Sequence, residues 1–183
     1  QRWGDDIDRI KAGHKKTVRK IYINTLPIFD PANAQENFAL YRWANSVHRY
    51  TRPAVIERLL LFSTGEQVDD HLLDESERLL RQENYIADSA IRVVRDCLDE
   101  VDLEVVTHEV WTLTPEISVK SSGGDTSTSL GFRDANFLGS GKSIGLGVKQ
   151  EPDRNKLQFH YNDRYFQGKR LNLSVRVEKN SDG

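Results

Sequence analysis

Gly139-Ser140-Gly141-Lys142-Ser143 carries the glycine, lysine and serine of a phosphate-binding loop. That loop needs a further glycine five residues before its second one, and Asn136 stands there. The segment also joins two stretches of strand pattern, so no helix N-terminus is at hand to receive a phosphate. A tight β-turn accounts for it. The histidines are His14, His48, His71, His108 and His160. None has another at the fourth residue on, and none falls in a His/Glu metal spacing. The one cysteine, Cys97, lies among acidic residues, which do not favour a thiolate. Asp69, Asp70, Asp74 and Glu75 cluster where a helix should begin, and capping and dipole compensation account for them. No serine, histidine and aspartate stand around an elbow glycine pattern. The expectation is no catalytic residue, no cofactor and no metal, so not an enzyme.

The elements behind these residues are more telling. In the last third of the chain, apolar and polar residues alternate strictly. Thr128, Leu130 and Phe132 oppose Ser129, Gly131 and Arg133, and Ile144, Leu146 and Val148 oppose Gly145, Gly147 and Lys149. Leu157, Phe159 and Tyr161 oppose Gln158, His160 and Asn162, while Leu171, Leu173, Val175 and Val177 oppose Asn172, Ser174, Arg176 and Glu178. Period two gives each strand one apolar face. Asp134-Ala135-Asn136-Phe137-Leu138-Gly139 returns as Asp163-Arg164-Tyr165-Phe166-Gln167-Gly168, each time after a strand and before a basic turn. So regular an apolar face must meet a core or a lipid.

The chain has 183 residues, 26 basic and 28 acidic, for a net charge of −2. No basic field invites nucleic acid. No run approaches the roughly 18 apolar residues of a membrane helix. Membrane strands need only about 9–11 residues with alternate polar positions, so they remain open. A single cysteine excludes an internal disulfide. The chain begins at Gln1 and ends in turn chemistry at Asn180-Ser181-Asp182-Gly183, which reads as a processed or excised piece with more strands to follow.

Before Pro115 the pattern is mixed. Residues 1–17 read as a polar lead-in, Arg19 to Phe29 as a strand, and 35–48 as a short helix. Arg52-Pro53 opens a helix striped by Val55, Ile56, Leu59 and Leu60, ended by Ser63-Thr64-Gly65. Asp69 or Asp70 caps the next, with Leu72, Leu73, Ser76, Leu79 and Leu80 inward and Glu75, Glu77, Arg78 and Arg81 outward. Ile91 to Arg95 reads as a strand, Asp96 to Glu100 as an acidic turn, and Val101 to Leu113 as a long central strand. Helices over one face of a small sheet make an α+β domain.

This order resembles a POTRA domain. The resemblance rests on Gly65, on Leu79-Leu80-Arg81-Gln82-Glu83-Asn84-Tyr85, on Val101-Asp102-Leu103-Glu104-Val105 and on Glu109-Val110-Trp111-Thr112-Leu113-Thr114-Pro115. The hairpins after it, with Gly131-Phe132-Arg133-Asp134-Ala135-Asn136-Phe137-Leu138-Gly139 and Gly141-Lys142-Ser143, resemble the opening of the surface-antigen β-barrel in the BamA-like outer-membrane superfamily. The resemblance implies a β-α-α-β-β POTRA-like domain over 18–114 with an insertion at 31–50. Antiparallel hairpins follow over 115–183, the start of a barrel. About five strands cannot close, since bacterial barrels have eight or more.

The implied function is outer-membrane protein assembly or translocation, with the POTRA-like domain in the periplasm of a Gram-negative-type bacterium. Unfolded outer-membrane proteins or assembly partners would add a strand to an edge formed by Ile91, Arg92, Val93, Val94 and Arg95. Leu130, Phe132, Ile144, Leu146, Val148, Leu157, Phe159, Leu171, Leu173 and Val175 would face lipid. Gly145, Gly147, Gln158, His160, Asn172, Ser174 and Arg176 would face a lumen. Phe137, Tyr165 and Phe166 would form an aromatic girdle. Trp111 would pack in a core or at a hinge between the domains. The alternative is a soluble periplasmic peptide-binding or scaffold module whose C-terminal sheet self-associates, giving a homodimer of this piece. An enzyme anchored by the barrel, its catalytic part elsewhere, is the remaining reading.

Overall fold

The computed structural model describes residue 10, residues 14–28 and residues 49–181. The helix expected over 35–48, nearly all of the insertion at 31–50 and most of the lead-in lie outside them. The chain divides into two compact units, Gln1–Val110 and Trp111–Gly183. The division falls at Val110, not at Pro115.

The first unit contains β1 (Lys16–Leu26), α1 (Pro53–Glu57), β2 (Gln67–Val68), α2 (Asp70–Arg81), β3 (Ile86–Cys97) and β4 (Glu100–Glu109). Its sheet runs β2-β1-β4-β3, with β1 parallel to β4 and the other pairs antiparallel. A two-residue β2 thus stands between the two helices. Pro53 starts α1, where its missing N–H costs nothing. The helix is shorter than its apolar stripe suggests. After Glu57 the chain tightens, with Leu59 N–H donating to Ile56 and Leu60 N–H to Glu57. Val55, Ile56, Leu59 and Leu60 are buried all the same. Asp69 caps α2 by accepting the Leu72 N–H at 2.9 Å.

One face of this sheet is hidden. Val18, Ile91, Val101, Leu103 and Val105 are at most 1% exposed, and Leu73 and Leu80 of α2 are fully covered. Burial of each such side chain contributes about 1.5–3 kcal/mol.

Several strand limits differ from the sequence reading. β1 begins at Lys16, and β3 is longer at both ends than 91–95. Cys97 closes β3, so the turn shrinks to Leu98 and Asp99. β4 stops at Glu109 instead of reaching Leu113. There the Glu109 carboxylate accepts the Thr51 N–H at 2.7 Å, and the Val110 N–H turns to the Tyr85 carbonyl. Glu77, expected in water, is 5% exposed because the backbone of β3 takes its carboxylate.

The second unit is an antiparallel meander: β5 (Leu113–Ser122), β6 (Asp125–Asp134), β7 (Lys142–Gln150), β8 (Asn155–Asp163) and β9 (Leu173–Asn180), paired in chain order. Gly123 and Gly124, both at positive φ, make the two-residue turn between β5 and β6. Pro115 lies inside β5, opposite Phe132. The Ala135 N–H donates to Thr112, so hydrogen-bonded pairs fall at every second residue from there, and Pro115 points its nitrogen at the open edge. That edge position is why the proline does not end a domain. Among the described residues no helix is long and apolar enough to cross a membrane.

Candidate functional site

The sequence marks two surfaces, one in each unit. The first is the row of stripes in the second unit. Register carries each apolar residue onto the next strand's apolar residue. Ile117, Leu130, Val148 and Leu157 stand side by side, as do Pro115, Phe132, Leu146, Phe159 and Val177. A third row joins Ile144, Tyr161 and Val175. Nothing among the described residues of this unit covers them: Leu130, Leu146, Val148 and Leu157 remain 40–56% exposed and Ile117 74%.

The opposite face is polar. One row is Thr114, Arg133, Gly145, His160 and Arg176; the next is Glu116, Gly131, Gly147, Gln158 and Glu178. Arg133 pairs with Glu116 at 3.0 Å, and the Gln158 amide donates to Glu178 at 3.0 Å. Over the glycines lies a hollow of about 250 Å³. At Gly131 a Cβ would stand 2.7 Å from the Leu146 carbonyl oxygen, so glycine lets β6 and β7 approach. Gly145 and Gly147 have ordinary room for a methyl.

The repeated six residues form the same turn twice. Asp134 accepts the Asn136 N–H and Asp163 the Tyr165 N–H, both at 2.9 Å. Leu138 and Gln167 then take positive φ, 53° and 55°, and a glycine follows each. Phe137, Tyr165 and Phe166 sit in these turns, at one end of the sheet. Leu171, expected on the apolar face of β9, belongs to the second turn: its carbonyl accepts the Phe166 N–H, and β9 starts two residues later. Leu173, one end of β9, sits beside the Lys142–Asp163 ion pair. Trp111 is partly exposed and donates from Nε1 to the Leu113 carbonyl at 2.5 Å.

The hairpin turn after β7 holds an ionic cluster. Glu151 accepts from Lys149 at 2.5 Å and pairs with Lys156 at 3.0 Å and Arg154 at 3.4 Å. The Lys149 and Lys156 ammonium groups pull its pKa down to about 2.

The second surface is β3 of the first unit. Among the described residues it pairs only with β4 and ends the sheet, and Ile91, Arg92, Val93, Val94 and Arg95 all lie in it. Ile91 and Val93 point into the core; Arg92 reaches Glu104 at 2.6 Å. Register slips by one between Val93 and Arg95, a bulge that twists an edge. Part of this edge is already occupied: Glu77 accepts the Ile91 N–H at 2.7 Å, and Arg81 donates to the Ser89 carbonyl at 2.8 Å. No sequence signal marked that, because both residues read as the wet side of α2.

On the bare face of the same sheet Arg19 grips Asp102, its Nε at 2.7 Å, and holds that carboxyl below the usual aspartate range. Among the described residues no group of three His, Cys, Asp or Glu side chains is placed to hold a metal. Cys97 is exposed.

No protein-family model matches this chain, and no curated protein matches it significantly. Solved structures do. BamA from Haemophilus ducreyi, in a form lacking POTRA domains 1–3, superposes with a TM-score of 0.66 at 20% identity over 93% of the chain. The fold is similar to that of BamA. CdiB from Acinetobacter baumannii matches over 95% of the chain with a TM-score of 0.50 at 14% identity. The chain spans 28% of the length of each of these proteins. At such identities the likeness is one of fold.

Proposed function

We propose that this chain is part of a non-enzymatic outer-membrane protein assembly or translocation component. The first unit is a POTRA-like periplasmic module. The second unit supplies the opening strands of an outer-membrane barrel, and its apolar rows lie against lipid. The observation that carries this reading is the bare apolar face. Five strands in register present aligned rows of large side chains to the outside, well beyond the single exposed residues a soluble surface carries. Period-two alternation with a polar opposite face is what a barrel wall needs. The likeness to BamA, a protein whose own description includes POTRA domains, supports both halves of the reading. The β3 edge is where an unfolded outer-membrane protein or an assembly partner adds a strand.

The same bare face supports a second reading, a soluble periplasmic scaffold whose sheets pack on one another. One experiment separates the two. The full-length gene product is taken from isolated outer membranes and run on a denaturing gel, boiled and unboiled. A mobility shift in the outer-membrane fraction is expected of a closed barrel. A periplasmic protein without a shift, dimeric in solution, would replace the assembly reading with the scaffold.

A further inference from the structure

Among the described residues the edge of β3 is closed over one half and open over the other. In an antiparallel ladder alternate residues turn both backbone groups outward. Ile91 is such a residue, and its N–H ends on Glu77 Oε1. Ser89 is the outward residue before it, and its carbonyl ends on Arg81 Nη1. Glu77 and Arg81 stand one turn apart on α2 and are themselves paired at 3.3 Å. An acceptor set against an N–H and a donor set against a C=O are what a neighbouring strand's backbone would offer. Continuing the alternation, Val93 is the next outward residue, and no described side chain takes its N–H or C=O.

We infer that Glu77 and Arg81 are a side-chain substitute for a strand, which closes β3 over Ser89–Ile91 and confines strand addition to the Val93 end. This rests on the proposed capture of partners at β3. The partner is an extended polypeptide segment, because the open groups are a backbone N–H and C=O at strand spacing. The contact it makes in the unaltered chain is short. To grow toward Ser89 it must displace a Glu77 carboxylate that is 7% exposed and bonded to both the Ile91 N–H and Arg81. The arrangement also keeps a longer edge from pairing with a second copy, a use of inward charge that bare sheet edges require.

Amide exchange on the full chain tests this, with and without a peptide of the β7 sequence, Lys142–Gln150, as the probe strand. Without peptide, Ile91 should exchange about tenfold more slowly than Val93. With peptide, protection should rise at Val93 and stop short of Ser89. Arg81→Ala, at a side chain already 40% exposed, and Glu77→Leu with Arg81→Ala should extend the protected stretch to Ser89. Val93→Pro, which deletes the open N–H and spares the ladder to β4, should abolish protection. An unchanged footprint in both Arg81 variants would overturn the substitute and leave capture standing. Protection in the variants alone would uphold the substitute and overturn capture by the native edge. No protection anywhere on β3 would overturn both.

Discussion

The two sheets are written in the same alternating code and end in opposite states. In the first unit Val101, Leu103 and Val105 of β4 vanish from the surface, since α2 lies along β3 and the apolar residues around α1 fill the same core. In the second unit Leu130, Leu146 and Leu157 have the same spacing and neighbours as apolar, yet they stay open. Alternation decides which side of a strand is apolar. Whether that side is covered depends on what else the chain encodes, and the described residues of the second unit form five strands, four connections and no α-helix. No described residue of the unit covers that side. Lipid, a further part of the parent protein and a second copy differ in what they ask of the same side chains.

The largest expected effect breaks the symmetry directly. Leu103→Ala should cost the first unit about 2–5 kcal/mol, because a cavity opens in a closed core. Leu146→Ala in water should cost under about 0.5 kcal/mol, as at other exposed sites. Urea unfolding followed at reporters in each unit reads both. In a bilayer the comparison reverses for a charge: Leu146→Arg should cost a barrel about 2–4 kcal/mol, and less folded barrel should reach the membrane. Normal membrane assembly of Leu146→Arg would remove lipid as the cover.

Much of this contrast is legible in the residues. The alternation at 128–177, the Asp69 cap and the proline that starts α1 follow from period and turn chemistry, whereas the edge position of Ile91–Arg95 comes only as what the resemblance implies. The strand ends at Glu109 and Leu173 follow from neither. Beside them lie bonds to partners outside the pattern: the Glu109 carboxylate accepts the Thr51 N–H, and the Leu171 carbonyl accepts the Phe166 N–H of the preceding turn. Glu77 is the clearest case. Helical spacing places it beside Glu75 and Arg78 on a wet face, and only the arrival of β3 buries it. Propensity describes an element by itself; a carboxylate's burial belongs to two elements at once.

A smaller effect sharpens the picture of the second sheet. Gly131→Ala would press a Cβ to 2.7 Å from the Leu146 carbonyl, and overpacking of that kind costs about 1–3 kcal/mol. Gly145→Ala, whose Cβ meets nothing nearer than 3.6 Å, should be close to neutral. Both face the polar side, so burial cannot separate them; only the approach of β6 to β7 does. Equal losses in the two variants would mean that glycine serves the whole row through flexibility, not through contact at one point.

The smallest effect lies in the acid range, and it treats the two units alike. Asp102 is held low by Arg19 and Glu151 by Lys149 and Lys156. A carboxyl whose native pKa is lowered binds fewer protons folded than unfolded, so it stabilises the fold above its ordinary value. That contribution disappears as pH falls through the native value. For Glu151 the window runs from 4.5 down to about 2. For Asp102 it opens below 3.8. Asp102→Asn should flatten the acid slope of the first unit, and Glu151→Gln that of amide exchange at the β7–β8 turn, each leaving the other unit's slope unchanged. Glu151 is one-fifth exposed and Asp102 nearly covered, so added salt should shrink the slope at the β7–β8 turn more than that of the first unit. If one substitution changed both slopes, the two units would unfold as one, and the different fates of their apolar faces could no longer be assigned to separate folding units.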